Sequence, residues 1–192
     1  MSHSLRVIAG RFGGRRLSAP RGHVTRPTGA RVREALFSIL GPLDGARVLD
    51  LYAGTGALAI EALSRGAERA VLIEHDRNAL VCVRENVETL ALAAHAVVVP
   101  LRLPRALAAA LEHGPFDLVL CDPPWAELAS AGAVLARLPR EGGLAAGARL
   151  VLEHAEKDDP HVLPGLGVFD RRSWGDTAVT MFRADPASGV EP

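Results

Sequence analysis

An α/β fold, with a largely parallel sheet covered by helices on both faces, is what this sequence predicts. Three observations carry the expectation. From Ala46 onward, short apolar runs of strand length alternate with segments of helical period, the pattern of successive strand–helix units. The first of these runs, ARVLDLYA, enters a turn containing Gly54 and Gly56 before a helical stretch, as in sheets that bind nucleoside-containing ligands. The last two runs, GVFDRRSWG and TAVTMFRA, meet at Gly175-Asp176, a connection short enough only for antiparallel neighbours.

At the N-terminus, LRVIAG and RRLSAP flank Phe12-Gly13-Gly14 and predict a β-hairpin, since paired glycines suit a tight turn. Pro20, Gly22 and Pro27 mark a loop, so residues 1–27 are expected to form a small N-terminal extension and residues 28–192 the main domain. A helix is expected from about Thr28 to Leu40, with Val32, Ala35, Leu36, Ile39 and Leu40 as its apolar face and Arg31, Arg33 and Glu34 away from the centre of that stripe. Gly41-Pro42 ends it. After the first strand comes the helix ALAIEALSR, closed by Gly66, and then the strand RAVLIEH. Asp76 can cap a helix running to about Leu90. HAVVVPL is a third strand, Pro104 opens a short helix ended near Gly114, and FDLVLC is a fourth strand. A helix through AGAVLARL precedes a fifth strand, ARLVLEHA, which comes after Gly142-Gly143. With the closing pair, the sheet has seven strands.

Composition bounds the function classes. At 192 residues the chain suits one domain with an extension. Its 48% hydrophobic but only 4% aromatic content means a core of Ala, Leu and Val. No apolar run approaches the ~20 residues that span a bilayer, and MSHSLRVIAGR lacks a signal-peptide pattern, so a cytoplasmic location is expected. Cys82 and Cys121 show no CxxC spacing and no neighbouring His cluster, which predicts reduced core thiols and no metal. Charge is uneven although the total is zero. Residues 1–35 hold Arg6, Arg11, Arg15, Arg16, Arg21, Arg26, Arg31 and Arg33 against the single acid Glu34, a net of +7 that leaves −7 for the rest. Such asymmetry points to a polyanion partner, or to a solvated arm.

In VLDLYAGTGALAIEAL, Gly54, Gly56 and Ala59 fit a loose G-x-G-x-x-A pattern. Glycines let the turn close tightly and let a ligand approach the backbone. Asp50, at the carboxyl end of the first strand, would repel a pyrophosphate but attract an ammonium group, which favours S-adenosylmethionine over a dinucleotide. Glu74 ends the second strand, with His75 beside it, and an acid there can accept both ribose hydroxyl protons.

FDLVLCDPPWAEL ends the fourth strand with an acid, two prolines and an aromatic ring. Neither proline can extend a strand ladder. Strands one and four are expected to flank the point where the strand order reverses, the usual place for a ligand. Asp122 and the carbonyl of Pro123, fixed in direction by Pro124, can hold the two hydrogens of a planar amine and stabilise positive charge developing on nitrogen. Trp125 can stack on an extruded base. With an activated methyl donor, positioning supplies much of the remaining catalysis.

These residues resemble the amino-methylating class of S-adenosylmethionine-dependent methyltransferases, with its [DNS]-P-P-[YFW] motif. RVIAGRFGGRRLSAPRG, TRPTGARVREALFSIL, LDLYAGTGALAIEALSRGA, DLVLCDPPW and SWGDTAVTMF further resemble the bacterial 16S rRNA guanine-N2 methyltransferase family, RsmD, from about Arg6 to Arg183. The resemblance implies a Rossmann-like methyltransferase domain with an N-terminal β-hairpin extension, and methyl transfer to the N2 amine of a small-subunit rRNA guanine on assembled or nearly assembled subunits. It places Asp50, Tyr52, Gly54, Thr55, Gly56, Glu74 and His75 at the cofactor and Asp122 to Trp125 at the reaction. Gly29 and Ala30 stand where the family has Thr and Asp, which removes a helix cap. Ala59 replaces a usual glycine. Pro100, Leu101 and Arg102 replace the polar pair that helps hold adenine, leaving that role to backbone groups.

Guanine suits Asp122, which can accept from both N1–H and N2–H. Arg6, Arg11, Arg15, Arg16, Arg26, Arg31 and Arg33 are the candidate contacts to RNA phosphates, and a monomer is expected. Two alternatives stay open: an adenine-N6 methyltransferase acting on RNA or DNA, and a non-catalytic RNA-binding assembly factor.

Overall fold

A computed structural model describes residues 5–20, 29–158 and 163–184. Within them the elements run α1 (Ala30–Leu40), β1 (Arg47–Asp50), α2 (Ala57–Ser64), β2 (Arg69–Ile73), α3 (Arg77–Thr89), β3 (Ala96–Val99), α4 (Ala106–Leu111), β4 (Phe116–Cys121), α5 (Leu128–Leu135), β5 (Leu144–Ala155), β6 (Leu166–Trp174) and β7 (Thr177–Ala184). The seven strands form one sheet in the order β3-β2-β1-β4-β5-β7-β6. β1 to β5 pair in parallel, and β7 inserts antiparallel between β5 and β6.

Successive residues of a strand face opposite sides, and here each side has its own helices. Val48, Leu72 and Leu118 pack with Leu36 and Phe37 of α1, Ile60 of α2 and Val83 of α3. Leu49, Val71 and Val119 pack with Leu107 of α4 and Leu135 of α5. Burial on both faces is why the central strands read as unbroken apolar runs. α3 starts as expected, with Asp76 Oδ1 accepting the N–H groups of Asn78 and Ala79 at 2.9 Å.

Three expectations are corrected. In α1 the buried side chains are Arg33, Leu36, Phe37 and Leu40, while Ile39 is exposed. The apolar face is therefore turned by about one residue from the expected stripe, because burying Phe37 removes the most apolar area. The fifth strand begins at Leu144 rather than Ala148; it pairs back to Phe116 through a register shift, and Gly147, at φ +70°, adopts the conformation such an irregularity needs. The N-terminal hairpin is slighter than a two-stranded ladder. One antiparallel bridge joins Arg6 to Arg16, and Ile8 and Ala9 give their N–H groups to the Glu61 carboxylate of α2 at 2.7 and 3.0 Å instead of to a strand. Val7 and Leu17 are buried in the core on that side. The expected boundary after residue 27, Thr28 and Arg26 lie outside the described residues.

Candidate active site

The strand order reverses between β1 and β4, and their register brings the two sequence motifs together. Asp50 pairs with Leu120, and Leu51 donates its N–H to the Leu120 carbonyl at 2.9 Å. The turn that leaves β1 therefore starts beside the corner that leaves β4.

The glycine turn is pinned from three sides. Gly54 N–H donates to Glu74 Oε2 at 2.8 Å, Gly56 N–H to the Ala53 carbonyl at 2.7 Å, and Asn86 Nδ2 donates to the Thr55 carbonyl at 2.9 Å. Gly56 is required on two counts. Its φ is +80°, and a Cβ there would lie 2.9 Å from Val83 Cγ2. Gly54 is also left-handed, at φ +56°, but a Cβ on it would meet nothing within 4 Å. The space beside Gly54 is open to a ligand.

Asp50 is fully buried. Its Oδ2 accepts the Ala59 N–H at 3.3 Å, and its Oδ1 has no partner. Burial pushes its pKa up to about 7, the Ala59 hydrogen bond opposes this, the negative field of Glu74 adds to it, and a weaker approach of the Tyr52 backbone N–H opposes it. Glu74 lies just past β2 and accepts three N–H groups: Gly54 on Oε2, and His75 and Asp76 on Oε1 at 2.6 and 2.7 Å. His75 is exposed, with its Nδ1 3.7 Å from Glu74 Oε1. Tyr52 also has a buried hydroxyl without a partner. Burial holds that hydroxyl above its ordinary pKa, helped by Cys121 and Glu127 and opposed by Arg102.

At the corner, Asp122 is half-buried, Pro123 buried and Pro124 exposed. Trp125 is 45% exposed, and it opens a single tight turn, Trp125–Glu127, that leads into α5. Glu127 Oε1 accepts from Arg102 Nη2 at 2.9 Å. This ties the corner to the segment after β3, where Leu101 is exposed.

The arginines divide. Arg6, Arg11, Arg15, Arg16 and Arg31 are exposed. Arg33 is not: it is 2% exposed and donates Nη2 to the Arg6 carbonyl at 2.7 Å. Burial pulls its pKa down, and Glu61 partly offsets the shift. As placed, Arg33 is turned inward and holds the N-terminal segment, unlike the other described arginines of this group. Sequence reasoning missed Glu61 and Asn86, both buried. An acid in the middle of ALAIEAL and an Asn on the apolar side of α3 are the signals, because buried polar groups need partners.

A seven-stranded sheet in this order, with only β7 reversed, places the chain in the Rossmann-like class of methyltransferases. Within that class it belongs to the family described as conserved hypothetical protein 95, the RsmD family, whose profile matches residues 5–183. It is 38% identical over 182 residues to the YlbH protein of Bacillus subtilis (strain 168), covering 93% of this chain and 98% of that one. It is 42% identical over 126 residues to the ribosomal RNA small subunit methyltransferase D of Escherichia coli (strain K12), covering 65% of this chain and 62% of the relative. The solved structure of the Escherichia coli protein yhhF matches with a TM-score of 0.81 at 35% identity, over 95% of this chain and 99% of that one.

Proposed function

We propose that the chain transfers a methyl group from S-adenosylmethionine to the exocyclic N2 amine of a guanine in bacterial 16S rRNA, on assembled or nearly assembled small subunits. The observation that carries this reading is the β1–β4 register, which sets the glycine turn beside the Asp122–Trp125 corner. The name of the Escherichia coli relative supports an rRNA substrate.

The residues present fit the cofactor. Asp50 Oδ1 and the Tyr52 hydroxyl are buried polar atoms without protein partners at the end of β1, and the space beside Gly54 is open. Asp50 offers its unpaired oxygen to the ammonium group. Glu74 accepts three N–H groups on a carboxylate with about four acceptor positions, so a ribose hydroxyl can still be received. Thr55 and Gly56 shape the turn, and His75 borders the ribose end. Bound S-adenosylmethionine supplies a methyl group already activated on a sulfonium.

This chain's own residues position the amine. Asp122 and the Pro123 carbonyl accept its two hydrogens and stabilise the positive charge that develops on nitrogen. Pro124 fixes the direction of that carbonyl, and exposed Trp125 stacks on the extruded base. Residues 1–27 act as an RNA-binding extension in which Arg6, Arg11, Arg15 and Arg16 meet phosphates, joined by Arg31 on α1 and by Arg26. The enzyme works as a cytoplasmic monomer.

The test uses radiolabelled S-adenosylmethionine and small subunits from cells lacking this enzyme. Label recovered as N2-methylguanine in 16S rRNA supports the reading. Label in N6-methyladenine assigns a different amine, and no label in RNA overturns the activity.

A further inference from the structure

The side-chain amide of Asn86, 3% exposed on α3, is shared by two segments far apart in sequence. Its Oδ1 accepts the Ser18 N–H at 2.7 Å, and its Nδ2 donates to the Ser18 carbonyl at 3.1 Å. The same Nδ2 donates to the Thr55 carbonyl at 2.9 Å. Asn86 thus grips the Ser18 backbone as a strand partner would and holds the centre of the glycine turn with its remaining hydrogen. A carboxylate of the same shape has no hydrogen for either carbonyl, and an aliphatic side chain would leave three part-buried backbone groups without this partner.

The Thr55 carbonyl and the Gly56 N–H belong to one planar peptide unit. Asn86 holds one end of that unit and the Ala53 carbonyl holds the other. Anything that orders the peptide orders the Asn86 amide, and that amide is also the partner of Ser18. We infer that Asn86 is a positioning residue that couples the N-terminal segment to the cofactor turn, so that occupancy at one tightens the other. This rests on the proposed role of the Gly54–Gly56 turn in holding S-adenosylmethionine. The coupling is reciprocal, as any linkage between two binding events must be: RNA held by the N-terminal segment strengthens cofactor binding, and cofactor strengthens RNA binding. A second attachment of the segment, Ile8 and Ala9 on Glu61, acts on α2 rather than on the turn, so the two routes are separable.

The experiment is residue-resolved hydrogen exchange on the full chain, with and without S-adenosylhomocysteine, alongside calorimetric titration of that ligand. In the wild-type protein, saturating ligand is expected to slow exchange of the Ser18 amide by at least about fivefold. In Asn86→Ala the ligand is expected to bind about tenfold more weakly. At saturation it should leave Ser18 unchanged, while the Ile8 and Ala9 amides keep their protection. A merely structural Asn86 would lower protection throughout without removing the response to ligand. The inference is overturned if wild-type protein binds the ligand with no change at Ser18, which decides the matter even if the variant does not fold. It is equally overturned if Ser18 in Asn86→Ala still responds. If calorimetry shows no binding to the wild-type protein, the cofactor reading fails, and the coupling fails with it.

Discussion

Two aspartates stand at the ends of adjacent parallel strands, Asp122 two residues beyond the partner of Asp50, yet the fold treats them in opposite ways. Asp50 ends β1 in full burial, with one oxygen on the Ala59 N–H and the other unpaired, and its pKa is pushed up to about 7. Asp122 comes one residue after β4 and stays half-buried. The difference arises in the backbone just beyond each acid. After Asp50 the chain turns back through glycines into α2, which covers it. After Asp122 come two prolines that offer no N–H to a ladder, and the chain enters α5 through the Trp125–Glu127 turn with Pro124 and Trp125 exposed, so this corner is less covered. Two acids at neighbouring strand ends are thereby given different surroundings, which is what the proposed division between cofactor binding and reaction requires.

The largest effect that would break this comparison is on turnover. Asp122→Ala is expected to lower kcat about a thousandfold or more, since it removes an acceptor aimed at developing charge. Affinity for S-adenosylhomocysteine should stay within about twofold. Single-turnover rates and calorimetric titration measure the two sides. Activity that survives, or cofactor binding that collapses together with activity, would mean that the two acids do not divide the work.

Asp50 should show itself through pH. Its folded pKa lies above its unfolded value near 3.8. Between roughly pH 4 and 7 the folded state therefore keeps a proton that the unfolded state has lost, and stability falls as pH rises across that window. Asp50→Asn removes the fall. At pH 8 it should stabilise the free protein by at most about 4 kcal/mol, reduced to about 2 kcal/mol by the unpaired amide hydrogens it buries. The same proton must leave when an ammonium group binds beside Asp50, so ligand affinity should rise from pH 6 to 8 in the wild type and stay flat in Asp50→Asn. Urea denaturation across pH and titration in buffers of different ionisation enthalpy give the two readouts. A pH-independent stability difference would show that Asp50 is not a protonated buried acid.

The strand-end acids, the glycine turn and the Pro-Pro corner were legible because each is a local signal. The sequence at that point limits the backbone, and the alternation of strands and helices says where the point lies. Arg33, Glu61 and Asn86 were not legible in the same way. Each owes its burial to the N-terminal segment folding onto α1, α2 and α3, a contact between residues 27 to 68 positions apart. On α1 the stripe read from the sequence missed Phe37, whose burial, together with the docking of the N-terminal segment on Arg33, sets the observed face. The seven strands were readable, but the irregular start of β5 was not, because Gly147, at φ +70°, and the register shift interrupt the strand pattern between Leu144 and Ala148.

Glu61 extends the contrast to an acid with the opposite sign of effect. It is as buried as Asp50 but fully engaged, accepting from Ile8, Ala9 and Arg65 Nε at 2.7, 3.0 and 2.7 Å. Glu61→Gln replaces a charged acceptor by an amide that must present hydrogens to donors. It should cost about 2 kcal/mol, and thermal or urea denaturation should show it. If both amide substitutions shift stability in the same direction, burial alone would be acting, and the pairing of Glu61 and the orphaned oxygen of Asp50 would be irrelevant.

The smallest expected effect applies the same division to the arginines. Arg16 is exposed, whereas Arg33 is buried on the Arg6 carbonyl. If Arg16 neutralises one phosphate, Arg16→Gln should weaken binding to small subunits a few-fold at physiological salt. It should also reduce the slope of log affinity against log salt by about 0.7 to 0.9, the contribution of one released counterion. Arg33→Gln should leave that slope unchanged and appear instead as lower stability, because the Arg6 carbonyl loses its charged donor. Filter binding at several salt concentrations, with melting curves for both variants, separates the two. A changed slope in Arg33→Gln would place its guanidinium at the RNA and require the N-terminal segment to release it on binding.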